Sequence, residues 1–123
     1  MKKQTYQTGI AGERQAEEWL CIHQNMTVLE RRCRTKAGEV DLVMLSGETV
    51  VFVEVKTRLK AEAGSGMLAV NRTKQQRIIR AATLYLMQKH WLGRPVRFDV
   101  VEVHPDRVIH IPNAFQQQGG MFF

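Results

Sequence analysis

Apolar residues recur along this chain with two periods, and the switches between them outline alternating helices and strands. From Gly9 to about Gln24 the spacing is helical, with Ala16, Trp19, Leu20 and His23 falling at i, i+3, i+4 and i+7. Residues 27–34 then read as a first strand that opens on Val28 and Leu29, and Val40 to Leu45 reads as a second. Ser46-Gly47-Glu48 is a turn. Thr49 to Thr57 is the strongest strand, because its run Val50-Val51-Phe52-Val53 suits a position buried on both faces. Residues 59–70 break the pattern, and Ala63-Gly64-Ser65-Gly66 has the composition of a flexible loop.

A second helix is predicted from about Arg72 to His90, capped by Asn71 or Thr73, with Ile78, Ala81, Ala82, Tyr85 and Leu86 on its apolar face. Gly93 and Pro95 punctuate the chain. Val96 to Val103 is a fourth strand and Arg107 to Ile111 a short fifth, joined by the turn His104-Pro105-Asp106. The order αβββαββ predicts an α/β fold, a mixed β-sheet flanked by helices. The first three strands form an antiparallel meander, and the second helix crosses over to a parallel neighbour. One domain over residues 1–112 and a flexible tail over 113–123 are expected.

Composition narrows the class. A chain of 123 residues holds one core, and 44% hydrophobic with 24% charged residues is ordinary for a soluble globular protein. No apolar run approaches the roughly 20 residues of a membrane helix. The start, Met1-Lys2-Lys3-Gln4-Thr5-Tyr6, lacks the apolar stretch of a signal peptide, so a cytoplasmic location and no membrane partner are expected. Cys21 and Cys33 read as free thiols. His23, His90, His104 and His110 show no ligand spacing and read as surface or boundary residues, which argues against zinc. The net charge of +6 favours an anionic partner, nucleic acid ahead of a membrane surface.

Candidate chemistry lies where charge interrupts the strands. In the third strand Val51, Val53 and Val55 point one way, while Val50, Phe52, Glu54 and Lys56 point the other. In the second, strict alternation puts Glu39, Asp41 and Val43 on one face. A turn that sets Leu45 opposite Glu48 places Asp41 opposite Phe52, and one that sets Leu45 opposite Val50 places Asp41 opposite Glu54. An odd loop would turn Asp41 away unless a bulge corrected it. Two adjacent carboxylates are costly to bury without a cation, and a hard divalent ion such as Mg²⁺ or Mn²⁺ suits them. Lys56 beside them can steady a phosphorane charge or position water. The bland alternative is a cross-strand salt bridge to Lys56.

Glu13 shares the inner helix face with Ala16 and Leu20, and Gly9 and Gly12 would let that helix approach the sheet. It reads either as a further metal- or water-directing carboxylate or as a helix N-terminal acid favoured by the dipole, and the pattern alone favours the dipole. Basic residues surround this centre. Arg34 and Lys36 precede the second strand, Arg58 and Lys60 follow the third, and Arg72, Lys74 and Arg77 open the second helix. They are candidate phosphate contacts that carry affinity without sequence information. A solvated basic face is the plain alternative.

Asp41, the step of 13 residues to Glu54, and Glu54-Val55-Lys56 resemble the PD-(D/E)xK nuclease motif. More closely, the chain resembles the YraN family of small bacterial proteins. The segments that carry the match are Gly9-Ile10-Ala11-Gly12-Glu13, Gly38-Glu39-Val40-Asp41-Leu42-Val43, Val51-Phe52-Val53-Glu54-Val55-Lys56-Thr57-Arg58 and Arg97-Phe98-Asp99-Val100-Val101. The resemblance implies a restriction-endonuclease-like fold, similar to Holliday-junction resolvases. It implies metal ligands at Asp41 and Glu54, a catalytic lysine at Lys56, and an accessory acid at Glu13. Val40 stands where the superfamily motif has proline, and Asp99 reads as structural. The implied activity is a Mg²⁺- or Mn²⁺-dependent endonuclease acting on DNA, at branched or damaged structures, for which a homodimer would suit two-strand cutting. The alternative is a non-catalytic nucleic-acid-binding adaptor that retains the fold.

Overall fold

The computed structural model describes residues 2–58 and 70–116. The loop around Gly64–Gly66, Lys60 and residues 117–123 of the expected tail lie outside them. Helix α1 spans Lys2–His23, strands β1, β2 and β3 span Thr27–Thr35, Gly38–Ser46 and Thr49–Thr57, helix α2 spans Arg72–Lys89, and strands β4 and β5 span Val96–Val103 and Val108–Phe115. The order is αβββαββ, as the periodicity predicts. α1 begins earlier than Gly9. β5 runs beyond Ile111 to Phe115, whose ring stacks on Phe98 at 5.2 Å between centroids. Pro112 and Asn113 disguise this extension in the sequence, since both are poor strand formers.

The sheet has the order β1-β2-β3-β4-β5. β1, β2 and β3 form the antiparallel meander, α2 crosses over to β4 parallel to β3, and β5 returns antiparallel. α1 packs over β3 and β4, and α2 over β1 and β2. Alternation along β3 separates two cores. Val50 and Phe52 pack with Ile78, Ala81, Ala82, Tyr85 and Leu86 of α2, the five apolar positions read from the helix period. Val51 and Val53 pack with Ala16 and Leu20 of α1. α2 starts at Asn71, whose side chain accepts the Lys74 N–H at 2.9 Å, and stops at His90 in the left-handed conformation.

Gly12 explains how α1 reaches the sheet. A Cβ there would collide with Thr57 Oγ1 at the end of β3, so only glycine permits this approach, whereas Gly9 has open space around it.

At one level of the sheet, strict alternation fails. Arg31 opposite Leu42 turns to the α1 side, but Cys33 opposite Val40 packs on the α2 side. Between them Arg32 has φ +48°. Val40 therefore shares the α2-side core with Val43, and the expectation that Glu39, Asp41 and Val43 line one face by simple period 2 does not hold. In β1 the left-handed Arg32 stands at this change of face.

Candidate metal and phosphate site

The β2–β3 hairpin closes on Gly47-Glu48, with Ser46 opposite Thr49 and Leu45 opposite Val50, so the register is the one that carries Asp41 towards Glu54. Regular pairing ends at Leu42 opposite Val53. Asp41 is the next residue on β2, and its side chain takes over from the backbone: Oδ2 accepts the Val55 N–H at 2.8 Å. The carboxylate thus plugs the split where β2 leaves β3. It lies within side-chain hydrogen-bonding range of Glu54, which is only 5% exposed. Burial first, and the Glu54 charge second, push the Asp41 carboxyl up to about 8, against the opposing pull of the Val55 N–H.

Two lysines answer these acids. Lys74, one turn into α2, sets Nζ 2.6 Å from Glu54 Oε2, and Lys56 Nζ is 3.8 Å from the same oxygen. Burial and the neighbouring Lys74 lower the Lys56 ammonium below the usual lysine range. Burial is the largest single influence on Lys74 and opposes its charge, but the hydrogen bonds to Glu54 and Lys56 and the charges of Glu54 and Asp41 together raise it. Lys74, expected among the phosphate contacts, is therefore turned into the acidic centre in this structure. The site stands at the carboxyl end of β3 beside its parallel partner β4, a common position for ligand sites in sheets with helical crossovers.

Glu13 faces the same end from α1. It is held by Arg32, Nε to Oε1 at 3.0 Å and Nη2 to Oε2 at 3.4 Å. Burial pushes its carboxyl up, Arg32 opposes this, and the charges of Glu39 and Glu54 add to the rise. Asp41, Glu54, Lys56 and Glu13 thus influence one another electrostatically. Among the described residues, no group of three or more His, Cys, Asp or Glu is arranged to hold an ion. The donors that fit a hard cation are Asp41 and Glu54, two oxygen ligands drawn together against their repulsion.

The remaining basic candidates divide. Lys36 and Arg72 are exposed, and Arg34 is exposed with a loose pair to Glu39 at 3.4 Å. Arg77 lays its Cγ and Cδ 3.0 and 3.1 Å from where a Gly38 Cβ would stand, so Gly38, at φ +148°, makes room for it. Arg58 turns towards Glu102, with Nε 3.8 Å from Oε2 and no hydrogen-bond partner on that buried nitrogen.

Two polar networks escaped the sequence reading. Asp99 is fully buried and accepts from Arg97 Nε and Nη2 at 2.8 and 2.9 Å and from the Asn113 N–H at 2.9 Å, and it pairs with His110 Nε2 at 2.7 Å. Burial alone would raise its carboxyl, but these partners hold it below its ordinary value. Glu102 and His104 form a buried pair at 2.8 Å. His104 is therefore a core residue and not the surface or boundary residue expected, whereas His110 does stand at the boundary, with its ring turned in to Asp99. The signal for the first lay in the spacing: Arg97 and Asp99 are two apart on β4 and share a face.

The mixed five-stranded sheet, the αβββαββ order and the acids at the end of a central strand define a small α/β protein with a sheet flanked by two helices. Residues 12–103 match the model of the uncharacterised protein family UPF0102, and the chain belongs to that family, the one its YraN-like motifs indicate. A UPF0102 protein of Pseudomonas paraeruginosa is 44% identical over 112 residues, covering 83% of this chain and 90% of its own. One from Pseudomonas putida is 45% identical over 114 residues, covering 88% and 91%. Among solved structures, the crystal structure of SSO0001 matches 82% of this chain and 48% of its own at 15% identity, with a TM-score of 0.37. No described helix is long and apolar enough to cross a membrane.

Proposed function

We propose that this protein is a divalent-metal-dependent endonuclease that hydrolyses DNA phosphodiester bonds, with branched or damaged structures as its substrates. The observation that carries this reading is the Asp41–Glu54 pair, two acids side by side at the end of a central strand, where burial first and the Glu54 charge second push the Asp41 carboxyl up to about 8. Two buried carboxylates side by side either share a proton or take up a cation, and a divalent ion would relieve their repulsion. Asp41 and Glu54 would hold Mg²⁺ or Mn²⁺, which when bound supplies positive charge for phosphate oxygens and makes water more acidic. Lys56, with its ammonium lowered by burial and by Lys74, can give up or hold a proton at Nζ beside the same oxygens. The exposed Lys36, Arg34 and Arg72 would contact flanking phosphates.

The test is incubation of the purified protein with labelled linear, single-stranded, flapped and four-way-junction DNA in Mg²⁺, Mn²⁺ or EDTA, beside Glu54→Ala. The nuclease reading expects cutting that is lost in EDTA and in the variant. A second reading, a non-catalytic nucleic-acid-binding adaptor, is favoured by the Lys74–Glu54 contact of 2.6 Å, which neutralises Glu54 from within. It expects DNA to be bound and left intact, by wild type and variant alike.

A further inference from the structure

Arg32 is unusual in three respects that converge on Glu13. Its backbone is left-handed at φ +48°, a conformation that costs an arginine about 1 kcal/mol. It sits between Arg31 and Cys33, whose partners Leu42 and Val40 flank Asp41, so it is level with the proposed metal ligand. Its guanidinium turns back across β1 to grip Glu13 through two nitrogens. Beside this contact runs an open groove of about 790 Å³ between α1 and β1, whose charged lining is Arg14, Arg31 and Arg32 with Glu13, Glu17 and Glu18. Arg32 keeps 31% of its side chain exposed, while Glu13 keeps only 16%. A guanidinium fork fits a phosphate as well as it fits a carboxylate.

We infer that Arg32 is a latch. Before substrate enters, it holds Glu13 away from Asp41 and Glu54. When a nucleic-acid backbone enters the groove, the guanidinium exchanges the carboxylate for a phosphodiester oxygen, and Glu13 joins Asp41 and Glu54 as a third carboxylate on the cation. This rests on the metal-dependent nuclease reading and adds to it the residue that couples substrate entry to completion of the site. Arg32 is here a positioning residue and not a catalytic one. The latch stores backbone strain beside the site it controls, where such strain commonly gathers.

The same helix carries its own control. Arg31 grips Glu17 with the same two-nitrogen geometry at 2.7 and 2.8 Å, but opposite Leu42 and on a 64% exposed side chain. The experiment measures Mn²⁺ affinity of the full chain by electron paramagnetic resonance for wild type, Arg32→Gln, Arg31→Gln and Arg32→Gln with Glu13→Gln, each first shown to be folded by its urea transition. Duplex DNA affinity is measured in EDTA by anisotropy. Releasing Glu13 should let Arg32→Gln bind Mn²⁺ up to about tenfold tighter, since a latched majority lowers the apparent affinity by the unlatched fraction. It should bind DNA more weakly, because a phosphate contact is gone. Glu13→Gln should erase the Mn²⁺ gain, and Arg31→Gln should not produce it. Wild type that binds Mn²⁺ with Arg32→Gln equal or weaker overturns the latch and leaves the metal reading standing. A gain equally large in Arg31→Gln overturns it too, since general loss of positive charge would then be the cause. Wild type that binds no Mn²⁺ overturns both.

Discussion

Replacing Asp41 with asparagine should stabilise the metal-free protein, which is the reverse of what removal of a buried, hydrogen-bonded acid normally does. The amide would keep an oxygen for the Val55 N–H, held at 2.8 Å by Asp41 Oδ2, and would lose only the charge that opposes Glu54. The magnitude follows from proton linkage. A carboxyl moved from 3.8 to about 8 must take up a proton on folding at neutral pH. At roughly 1.4 kcal/mol per tenfold change in proton affinity this costs on the order of 4 kcal/mol at pH 7. Relaxation of a part-buried site reduces it to about 2–3 kcal/mol. The sign is fixed by the raised value: folding is unimpeded below about pH 4, where Asp41 is protonated in both states, and stability is lost as pH rises towards 8. Urea unfolding in EDTA at several pH values should therefore show the variant gaining on wild type between pH 4 and 8, with the two converging in acid. Mg²⁺ should narrow the gap by stabilising wild type more than the variant. A variant no more stable at pH 8, or an advantage independent of pH, would refute the reasoning.

Three further outcomes follow from the geometry. Gly12→Ala drives a methyl group against Thr57 Oγ1 and should cost about 1–3 kcal/mol in urea unfolding, whereas Gly9→Ala, with open space around it, should be neutral or stabilising; equal effects at both positions would remove the close approach of α1 as an explanation. Asp99→Asn leaves Arg97 and His110 without their shared carboxylate and should cost about 3 kcal/mol at pH 7. Because Asp99 is held below its ordinary value, that loss should fade only as pH falls through the lowered value, and a loss of the same size in strong acid would contradict the network's charge. Lys56→Arg keeps the cation but not its readiness to release a proton, so DNA cutting should fall about 10²-fold or more while DNA binding stays nearly unchanged; full activity would show that the proton at Nζ is not used.

Much of the fold was legible because each element carries its own period. The five buried residues of α2 were readable from a 3.6-residue repeat, and the buried run Val50–Val53 marked β3 as central. The αβββαββ order and the parallel step across α2 followed from those elements. Asp41 and Glu54 stood out because carboxylates interrupt apolar strands, and the hairpin took one of the two even registers considered. What alternation could not supply was the change of face at Arg32, since a left-handed arginine has no composition signal. The buried pairs Asp99–His110 and Glu102–His104 were hidden for another reason: isolated histidines give no hint of burial until the strands that enclose them are placed. Lys74 was placed near the site by helix phase, but its 2.6 Å contact with Glu54 depends on how α2 docks.

The decisive measurement is single-turnover cutting of labelled four-way-junction and linear DNA by wild type and Glu54→Gln, with Mn²⁺ present or chelated. Wild type should cut only with the metal present and faster on the junction, and the variant should bind DNA without cutting it. Junction DNA bound by wild type and left whole in Mn²⁺, or cut equally well by Glu54→Gln, would contradict the nuclease reading.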